Sequence, residues 1–248
     1  MRVPAERETP VKVRNVIGVL RGSDPSLAAT YALLTAHYDH LGLAQTGEDR
    51  VYNGANDNGS GTVSVIEIAA ALAGLPHHPR RSIVFMTFFG EEEGLLGSLY
   101  YARHPVFPLE KTVAAVNLEQ LGRTDATEGK QVATATFTGF EYSDVPDYFR
   151  KAGQMTGVKI YEAPNGGDEF FNRSDNLSFA DHGVPSHTAV VAFDYPDYHA
   201  VGDEWRKIDY DNMAKVDRML ALGMLLIADS ERAPKWDAEK AGHYATGH

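Results

Sequence analysis

The chain has 248 residues, a length that fits one large α/β domain, and a formal net charge of -11. This acidic balance disfavours nucleic acid as a partner, because phosphate binding needs clustered lysines and arginines. There are no cysteines, so disulfide frameworks, thiolate zinc sites and cysteine nucleophiles are excluded, and any metal must be held by histidine, aspartate and glutamate.

The chain begins MRVPAER, a stretch without the apolar core of a secretory signal. Either the protein is cytoplasmic or its first residue follows a removed leader, and the sequence leaves both open. No later run approaches the roughly 18 apolar residues of a membrane-spanning helix. We therefore expect no membrane insertion.

The first half of the chain alternates between strand and helix signals. Polar and apolar residues alternate over residues 11–20, and a short apolar run over residues 31–36 ends in His37; both predict strands. Residues 59–72 begin glycine-rich and then carry apolar residues at helical spacing. Residues 83–89 (IVFMTFF) predict the clearest buried strand, which runs into three glutamates.

The second half continues this alternation up to a long last helix. The predicted elements are a helix at 95–103, a strand at 112–118, a helix at 145–155, a strand-like run at 184–193 and a helix at 210–229. Strands that alternate with helices predict a single α/β domain with a mixed, mostly parallel central sheet and helices on both faces. We expect residues 1–10 and 232–248 to be peripheral or frayed.

Several acidic and imidazole side chains come where predicted strands end. They are His37, Glu91, Glu92 and Glu119. In α/β sheets, ligands bind beyond the carboxyl ends of the strands. The coincidence predicts a functional site at this edge of the sheet.

His37 and Asp39 are two residues apart, so their side chains share a face if both extend a strand. A metal-bound imidazole usually donates its other N–H to a carboxylate, and Asp39 fits that role for His37. A histidine beside an aspartate is also an ordinary structural pair. On its own the triplet decides nothing.

Two further carboxylate patterns point to chemistry. Asp57 lies in a loop of glycine and asparagine, residues that permit unusual backbone angles, although an ordinary helix start explains it too. The adjacent Glu91 and Glu92 repel each other after a buried strand. The helix macrodipole favours acidic residues at that position. A site in which one carboxylate binds a metal and the other transfers a proton explains the adjacent pair better. His199 follows the last apolar stretch and supplies a second imidazole.

Six segments carry a family resemblance. They are AHYDH (36–40), NGANDNGSG (53–61), EEEGLLGS (91–98), VNLEQLGR (116–123), RSDNLSFADHGVP (173–185) and DYHAVGDEWRKIDYDNM (197–213). In type and order they resemble the co-catalytic zinc peptidases, which include bacterial leucyl aminopeptidases, glutamate carboxypeptidases and, more distantly, glutaminyl cyclases. The resemblance covers nearly the whole chain and implies the zinc-peptidase (phosphorylase/hydrolase-like) α/β architecture.

The resemblance implies two zinc ions, with cobalt or manganese as possible substitutes. His37, Asp57 and Glu119 would bind one ion. Asp57, Glu92 and His199 would bind the other, with Asp57 as the bridge. Two divalent ions, three carboxylate ligands and one hydroxide sum to zero charge, so such a cluster can be partly buried.

The resemblance also implies a reaction. Glu91 matches the general base, Asp39 the partner of His37, and Tyr198 a hydrogen-bond donor to the developing oxyanion. A hydroxide shared by the two metals would hydrolyse the bond that joins the N-terminal residue to the rest of a peptide or amino-acid amide. The bond between Asp57 and Asn58 matches one that is often cis in the family.

Two positions depart from the family pattern. Glu119 stands where aspartate is usual, which makes it the least secure ligand. Asn176 stands where many members have histidine, a change that we expect to alter the substrate pocket rather than the metals. The other histidines, His40 among them, match no ligand position.

Two alternatives stay open at this point. One is a glutaminyl cyclase with a single zinc, and the other is a binding domain that has kept the fold without the chemistry. The choice among aminopeptidase, dipeptidase and carboxypeptidase activity also stays open, as does the oligomeric state. The resemblance favours a secreted or periplasmic location.

Overall fold

The structure is a computed structural model that describes residues 10–127 and 129–246. Its strands are β1 (Val16–Leu20), β2 (Tyr31–His37), β3 (Ser82–Phe88), β4 (Thr112–Glu119), β5 (Asp125–Ala126), β6 (Gly129–Lys130), β7 (Thr134–Phe137), β8 (Lys159–Ile160) and β9 (Ser186–Val190). Its α-helices are α1 (Gly61–Ala73), α2 (Leu96–Arg103), α3 (Val145–Thr156), α4 (Asp168–Phe171), α5 (Asn176–Ala180) and α6 (Tyr210–Asp229). Within the described ranges, no helix is both long and apolar enough to cross a membrane.

Seven strands form one sheet in the order β1-β3-β2-β4-β9-β7-β8. The four central strands β3, β2, β4 and β9 are parallel, whereas β1 pairs antiparallel with β3 and β7 pairs antiparallel with β9. Strands β5 and β6 form a separate two-stranded ladder. The predicted single α/β domain with a mixed, mostly parallel sheet is confirmed.

Helices cover both faces of the sheet, as predicted. Leu34 of β2 belongs to the larger core, where α1, α3 and α6 pack, and its neighbour Leu33 belongs to the opposite core with Tyr101 of α2 and Phe179 of α5. Successive side chains of a strand point to opposite faces. A strand covered on both faces is therefore apolar at nearly every position, which explains the continuous apolar runs of the central strands.

The first strand is shorter than the alternation over residues 11–20 predicts. The strand begins only after Asn15, because hydrogen bonds of the Asn15 side chain take the place of backbone hydrogen bonds there. Its Oδ1 accepts a hydrogen bond from the Phe89 N–H at 3.3 Å, and its Nδ2 donates to the Gly97 carbonyl at 2.8 Å. Residues 11–15 therefore lie outside the sheet, and their expected strand is wrong.

The segment after α6 is packed rather than frayed over its described part. Trp236 donates its indole N–H to the Gly183 carbonyl at 2.9 Å. Tyr244 is buried in a small cluster with Phe171 and Ala180. The expectation of a frayed end is therefore wrong for residues 236–244, because aromatic side chains anchor them. Residues 1–9 and 247–248 lie outside the described residues.

The contact between α3 and α6 depends on Gly223. A Cβ at this position would lie 2.2 Å from the Phe149 ring, so Gly223→Ala overpacks the core. We expect the free energy of unfolding to fall by about 1–3 kcal/mol in urea denaturation. Gly74→Ala at the end of α1 is the control, because its Cβ would meet nothing closer than 3.5 Å. Equal stability of the two variants would contradict this packing.

Candidate metal centre

Parallel strands deliver the site residues to one edge of the sheet. His37 is the last residue of β2 and Glu119 the last residue of β4, while Glu91 and Glu92 follow β3. His199 lies in the loop between β9 and α6. All five sequence-predicted metal ligands and all three predicted catalytic residues lie at this edge.

The first group of ligand atoms comes from His37, Asp57 and Glu119. The His37 Nε2 lies 3.4 Å from Asp57 Oδ1 and 3.3 Å from Glu119 Oε2. All three residues are buried, and one ligand atom from each lies within 4.8 Å of the others. The group can hold one metal ion.

The second group shares Asp57 with the first. The other carboxylate oxygen, Asp57 Oδ2, lies 3.1 Å from His199 Nε2, and Glu92 Oε2 lies 3.5 Å from the same nitrogen. The two oxygens of Asp57 thus face two different imidazoles. This is the geometry that a carboxylate bridging two ions requires.

His40 belongs to this second group, although the sequence-based interpretation left it aside. Its Nδ1 lies 2.7 Å from Glu92 Oε1, and it forms a potential ligand set with Asp57 and Glu92. Its Nε2 is buried and has no hydrogen-bond partner among the described residues. The available signal was its place in the polar run that follows β2.

Glu119 reaches the first group despite its extra methylene. Its Oε1 accepts hydrogen bonds from Ser174 Oγ at 2.6 Å and from Asn117 Nδ2 at 3.3 Å. These contacts leave Oε2 directed towards His37. Ser174 and Asn117 therefore hold Glu119 in a position that suits a ligand with one oxygen.

Asn176 does not line the cavity of the site. Its Nδ2 donates to the Phe171 carbonyl at 3.0 Å, and its Oδ1 accepts from Thr188 Oγ1 at 2.8 Å. Thr188, its hydrogen-bond partner, lines the cavity and also accepts a hydrogen bond from Asn117 at 3.4 Å.

Asp39 supports the site in a different way from the one predicted. The closest contact of His37 Nδ1 is the Asp39 main-chain carbonyl at 3.1 Å. The Asp39 carboxylate lies 3.6 Å away, beyond hydrogen-bond length. It instead accepts hydrogen bonds from the N–H groups of Glu91 at 3.2 Å and Glu92 at 3.3 Å. Asp39 thus links the histidine to the two glutamates.

The loop that carries Asp57 is held by Asp203. The buried Asp203 carboxylate accepts hydrogen bonds from the N–H groups of Asn56 and Asp57 at 3.0 Å and from the Tyr195 hydroxyl at 3.0 Å. The next peptide bond, Asp57–Asn58, is cis. Sequence reasoning missed Asp203, since only the fold brings it to the loop.

Gly54 allows the loop to approach its neighbours closely. It adopts a φ of 60°, and a Cβ there would lie 2.5 Å from the Asp57 carbonyl oxygen and 2.7 Å from the His40 ring. Only glycine takes this conformation without a side-chain clash. The glycine-rich sequence of the loop is therefore required by the site.

The pKa values of the cluster reflect crowding of like charges. Burial, followed by the charge of Glu119, raises the pKa of Glu91 to about 9. Burial alone would also raise the pKa of Asp57, but hydrogen bonds with His199 and His37 outweigh it and lower that pKa. Burial opposes the protonation of His37, yet the charge of Glu119 and its other acidic neighbours raises its pKa.

This donor set fits divalent metal ions. Within residues 10–127 and 129–246, the ion-pair partners of its carboxylates are imidazoles, with no lysine or arginine among them. Buried carboxylates without a permanent cation are unfavourable, and a bound divalent ion reverses that balance. Imidazole and carboxylate ligands together suit zinc.

The metal groups lie in a cavity of about 400 Å³. Tyr198 lines it, and the Tyr198 ring stacks on His199 at 4.0 Å between centroids. Burial raises the pKa of Tyr198 above its ordinary value, so the hydroxyl keeps its proton. Apolar side chains line another part of the cavity: Leu95, Phe170, Val190 and Phe193.

Comparison with known proteins gives a family assignment. The model of Peptidase family M28 matches residues 15–224. Aminopeptidase YwaD of Bacillus subtilis (strain 168) is 26% identical over 231 residues, which is 90% of this chain and 46% of that protein. The chain thus spans about half the length of this relative.

Solved structures show the same fold. An aminopeptidase from Aneurinibacillus sp. strain AM-1 superposes with a TM-score of 0.70 and 22% identity, covering 88% of this chain and 49% of the other. The glutaminyl cyclase of Porphyromonas gingivalis gives a TM-score of 0.63 and 20% identity over 85% of this chain and 76% of the other. At these identities the likeness concerns architecture alone.

Glu119 is the site residue that departs from the family pattern, and metal content tests it. We expect Glu119→Ala to retain one zinc per chain where the parent protein retains two, because the group of Asp57, Glu92 and His199 stays intact. Zinc is counted by atomic absorption after dialysis at limiting zinc. Ser174→Ala should weaken the first site less, since it removes only a hydrogen bond to Glu119. Two tightly held ions in Glu119→Ala would show that Glu119 is no ligand.

Proposed function

Since the chain belongs to Peptidase family M28, we propose that it is a zinc-dependent exopeptidase that removes N-terminal residues from peptides. The observation that carries this proposal is the pair of oxygens of Asp57, each facing a different imidazole, beside a glutamate outside both ligand groups. The name of the B. subtilis relative, an aminopeptidase, supports it.

His37, Asp57 and Glu119 would hold one zinc, and Asp57, Glu92 and His199 the other. When bound, the ions supply Lewis acidity towards a peptide carbonyl and lower the pKa of a coordinated water. Through Glu92, His40 adds a hydrogen bond to the second ligand set. Asp57 would be the residue common to both ligand sets.

Glu91 is the general base in this proposal. Its Oε2 lies 4.0 Å from His37 Nε2, so it borders the first ligand group without belonging to it. Burial and the charge of Glu119 raise the pKa of Glu91 to about 9, which supports a carboxyl group that can hold a proton. Positive charge on bound ions lowers that pKa, which leaves a carboxylate that takes a proton from water and returns it to the leaving amine.

Tyr198 is the hydrogen-bond donor of the site. Its hydroxyl stays protonated because burial raises its pKa, and its ring is fixed against His199. A fixed donor beside the ligand groups stabilises negative charge that develops on the carbonyl oxygen. The apolar side chains on the cavity wall, among them Leu95 and Val190, favour an apolar first residue of the substrate.

The one-zinc cyclase alternative accounts for less of the site. It leaves the buried group of His37 and Glu119, 3.3 Å apart, without a role. It also leaves unexplained why Ser174 and Asn117 hold Glu119 in place. The alternative of an inactive binding domain gives Glu91 no role. The peptidase proposal uses all of these residues.

Glu91→Gln tests the proposed mechanism. We expect the variant to keep two zinc ions and lose about 10²–10⁴-fold in kcat, because it removes the proton acceptor and leaves every ligand in place. Hydrolysis of leucine p-nitroanilide by the zinc-loaded protein gives kcat, and atomic absorption gives the metal content.

Glu93→Gln is the matched control, since Glu93 is exposed and lies outside the cavity. Its kcat should equal that of the parent protein. A Glu91→Gln variant with unchanged kcat would remove Glu91 from the mechanism. An inactive parent protein with two bound zinc ions would contradict the proposed function as a whole.

A further inference from the structure

One positively charged side chain lies on the wall of the acidic cavity. Arg173 is the one lysine or arginine among the described residues that line it. Its guanidinium carbon lies 5.4 Å from the centre of the Phe170 ring, and Phe170 stacks on Phe193 at 4.3 Å with an interplanar angle of 10°. Phe170 thus holds the guanidinium through a cation–π contact, and Phe193 packs on Phe170.

No carboxylate pairs with Arg173 in the part of the chain that the structure describes. Other arginines do have such partners: Arg80 pairs with Asp24, and Arg123 pairs with Asp125 and Asp197. Arg173 is exposed, so the five N–H groups of its guanidinium are available to an incoming ligand.

Arg173 lies next to the reacting centre. The following residue, Ser174, donates a hydrogen bond to Glu119 Oε1 at 2.6 Å, which anchors this stretch of backbone beside a proposed zinc ligand. Arg173, Tyr198 and His199 also line the same cavity.

Arg173 forms no ion pair with the acidic residues that share its cavity. Four carboxylates line the cavity: Asp57, Glu91, Glu92 and Glu119. Their ion-pair partners among the described residues are His37, His40 and His199 rather than Arg173. A peptide substrate supplies the missing anion if it ends within reach of the cavity.

We propose that Arg173 binds a carboxylate on the leaving part of the substrate, so that the enzyme prefers dipeptides and other short peptides with a free carboxylate near the scissile bond. This inference rests on the proposed aminopeptidase function. A planar guanidinium suits bidentate binding of a carboxylate. A cavity of about 400 Å³ is at the small end of ligand sites, which suits a substrate of this size.

Three substrates test the proposal: leucyl-glycine, leucyl-glycinamide and leucyl-glutamate with its α-carboxyl group amidated. We expect the parent protein to show a kcat/KM for leucyl-glycine roughly ten-fold or more above that for leucyl-glycinamide, as a charged hydrogen bond supplies. Arg173→Gln should bring that ratio close to one, mainly through KM. Arg173→Lys should keep part of it, because lysine keeps the charge and loses the bidentate geometry.

Arg206→Gln is the matched control. Arg206 is also exposed and lies 5.2 Å from the ring centre of Trp205, but it does not line the cavity. Its substrate ratio should equal that of the parent protein. Calorimetric binding of leucyl-glycine to zinc-loaded Glu91→Gln, with and without Arg173→Gln, gives a readout without turnover. Removal of Arg173 should weaken that binding by a similar factor.

The third substrate shows which carboxylate is bound. Faster hydrolysis of the glutamate amide than of leucyl-glycinamide would assign Arg173 to a side-chain carboxylate, and preference for leucyl-glycine would assign it to the α-carboxylate. A ratio near one for both comparisons in the parent protein, or a ratio unchanged in Arg173→Gln, overturns the inference alone. Failure to hydrolyse any substrate overturns the proposed function and this inference with it.

Discussion

The site depends on how one carboxylate is held. Asp57 directs one oxygen at His37 and the other at His199, at 3.4 and 3.1 Å. A loop alone would not fix a side chain in this way, because its backbone would be free to turn. The buried carboxylate of Asp203 accepts hydrogen bonds from the successive N–H groups of Asn56 and Asp57, and Gly54 lets the loop pack closely. The Asp203 contacts therefore set the orientation of both ligand groups.

This arrangement brings like charges close together. Carboxylates brought together in a cavity repel one another, and the raised pKa of Glu91, which results from burial and from the charge of Glu119, records that repulsion. Ions that bind only the folded chain would stabilise it by mass action. The same charges that oppose folding thus provide the binding site. Arg173 places one positive charge on the wall of the same cavity, where bound ions would offset the charges of the carboxylates.

The sequence predicts the sheet well, and it places the candidate ligands at strand ends, because both follow from local patterns. The buried strands are continuous apolar runs, and residues such as His37 and Glu119 come directly at their ends. Asp203 and His40 could not be placed with the same means. Asp203 contacts a loop 146 residues away in the chain, and His40 approaches Glu92 only once the loops after two neighbouring strands lie side by side. Such contacts form only in the packed fold, and the periodicity of the sequence does not predict them.

In the proposed site, Asp57 would bridge two metal ions. X-ray diffraction from crystals grown with zinc, recorded at the zinc absorption edge, tests this bridge directly. We expect two anomalous peaks, one at roughly 2.0–2.2 Å from each oxygen of Asp57, the first beside His37 and the second beside His199. A single peak, or two peaks of which neither lies at ligand distance from Asp57, would contradict a bridging Asp57.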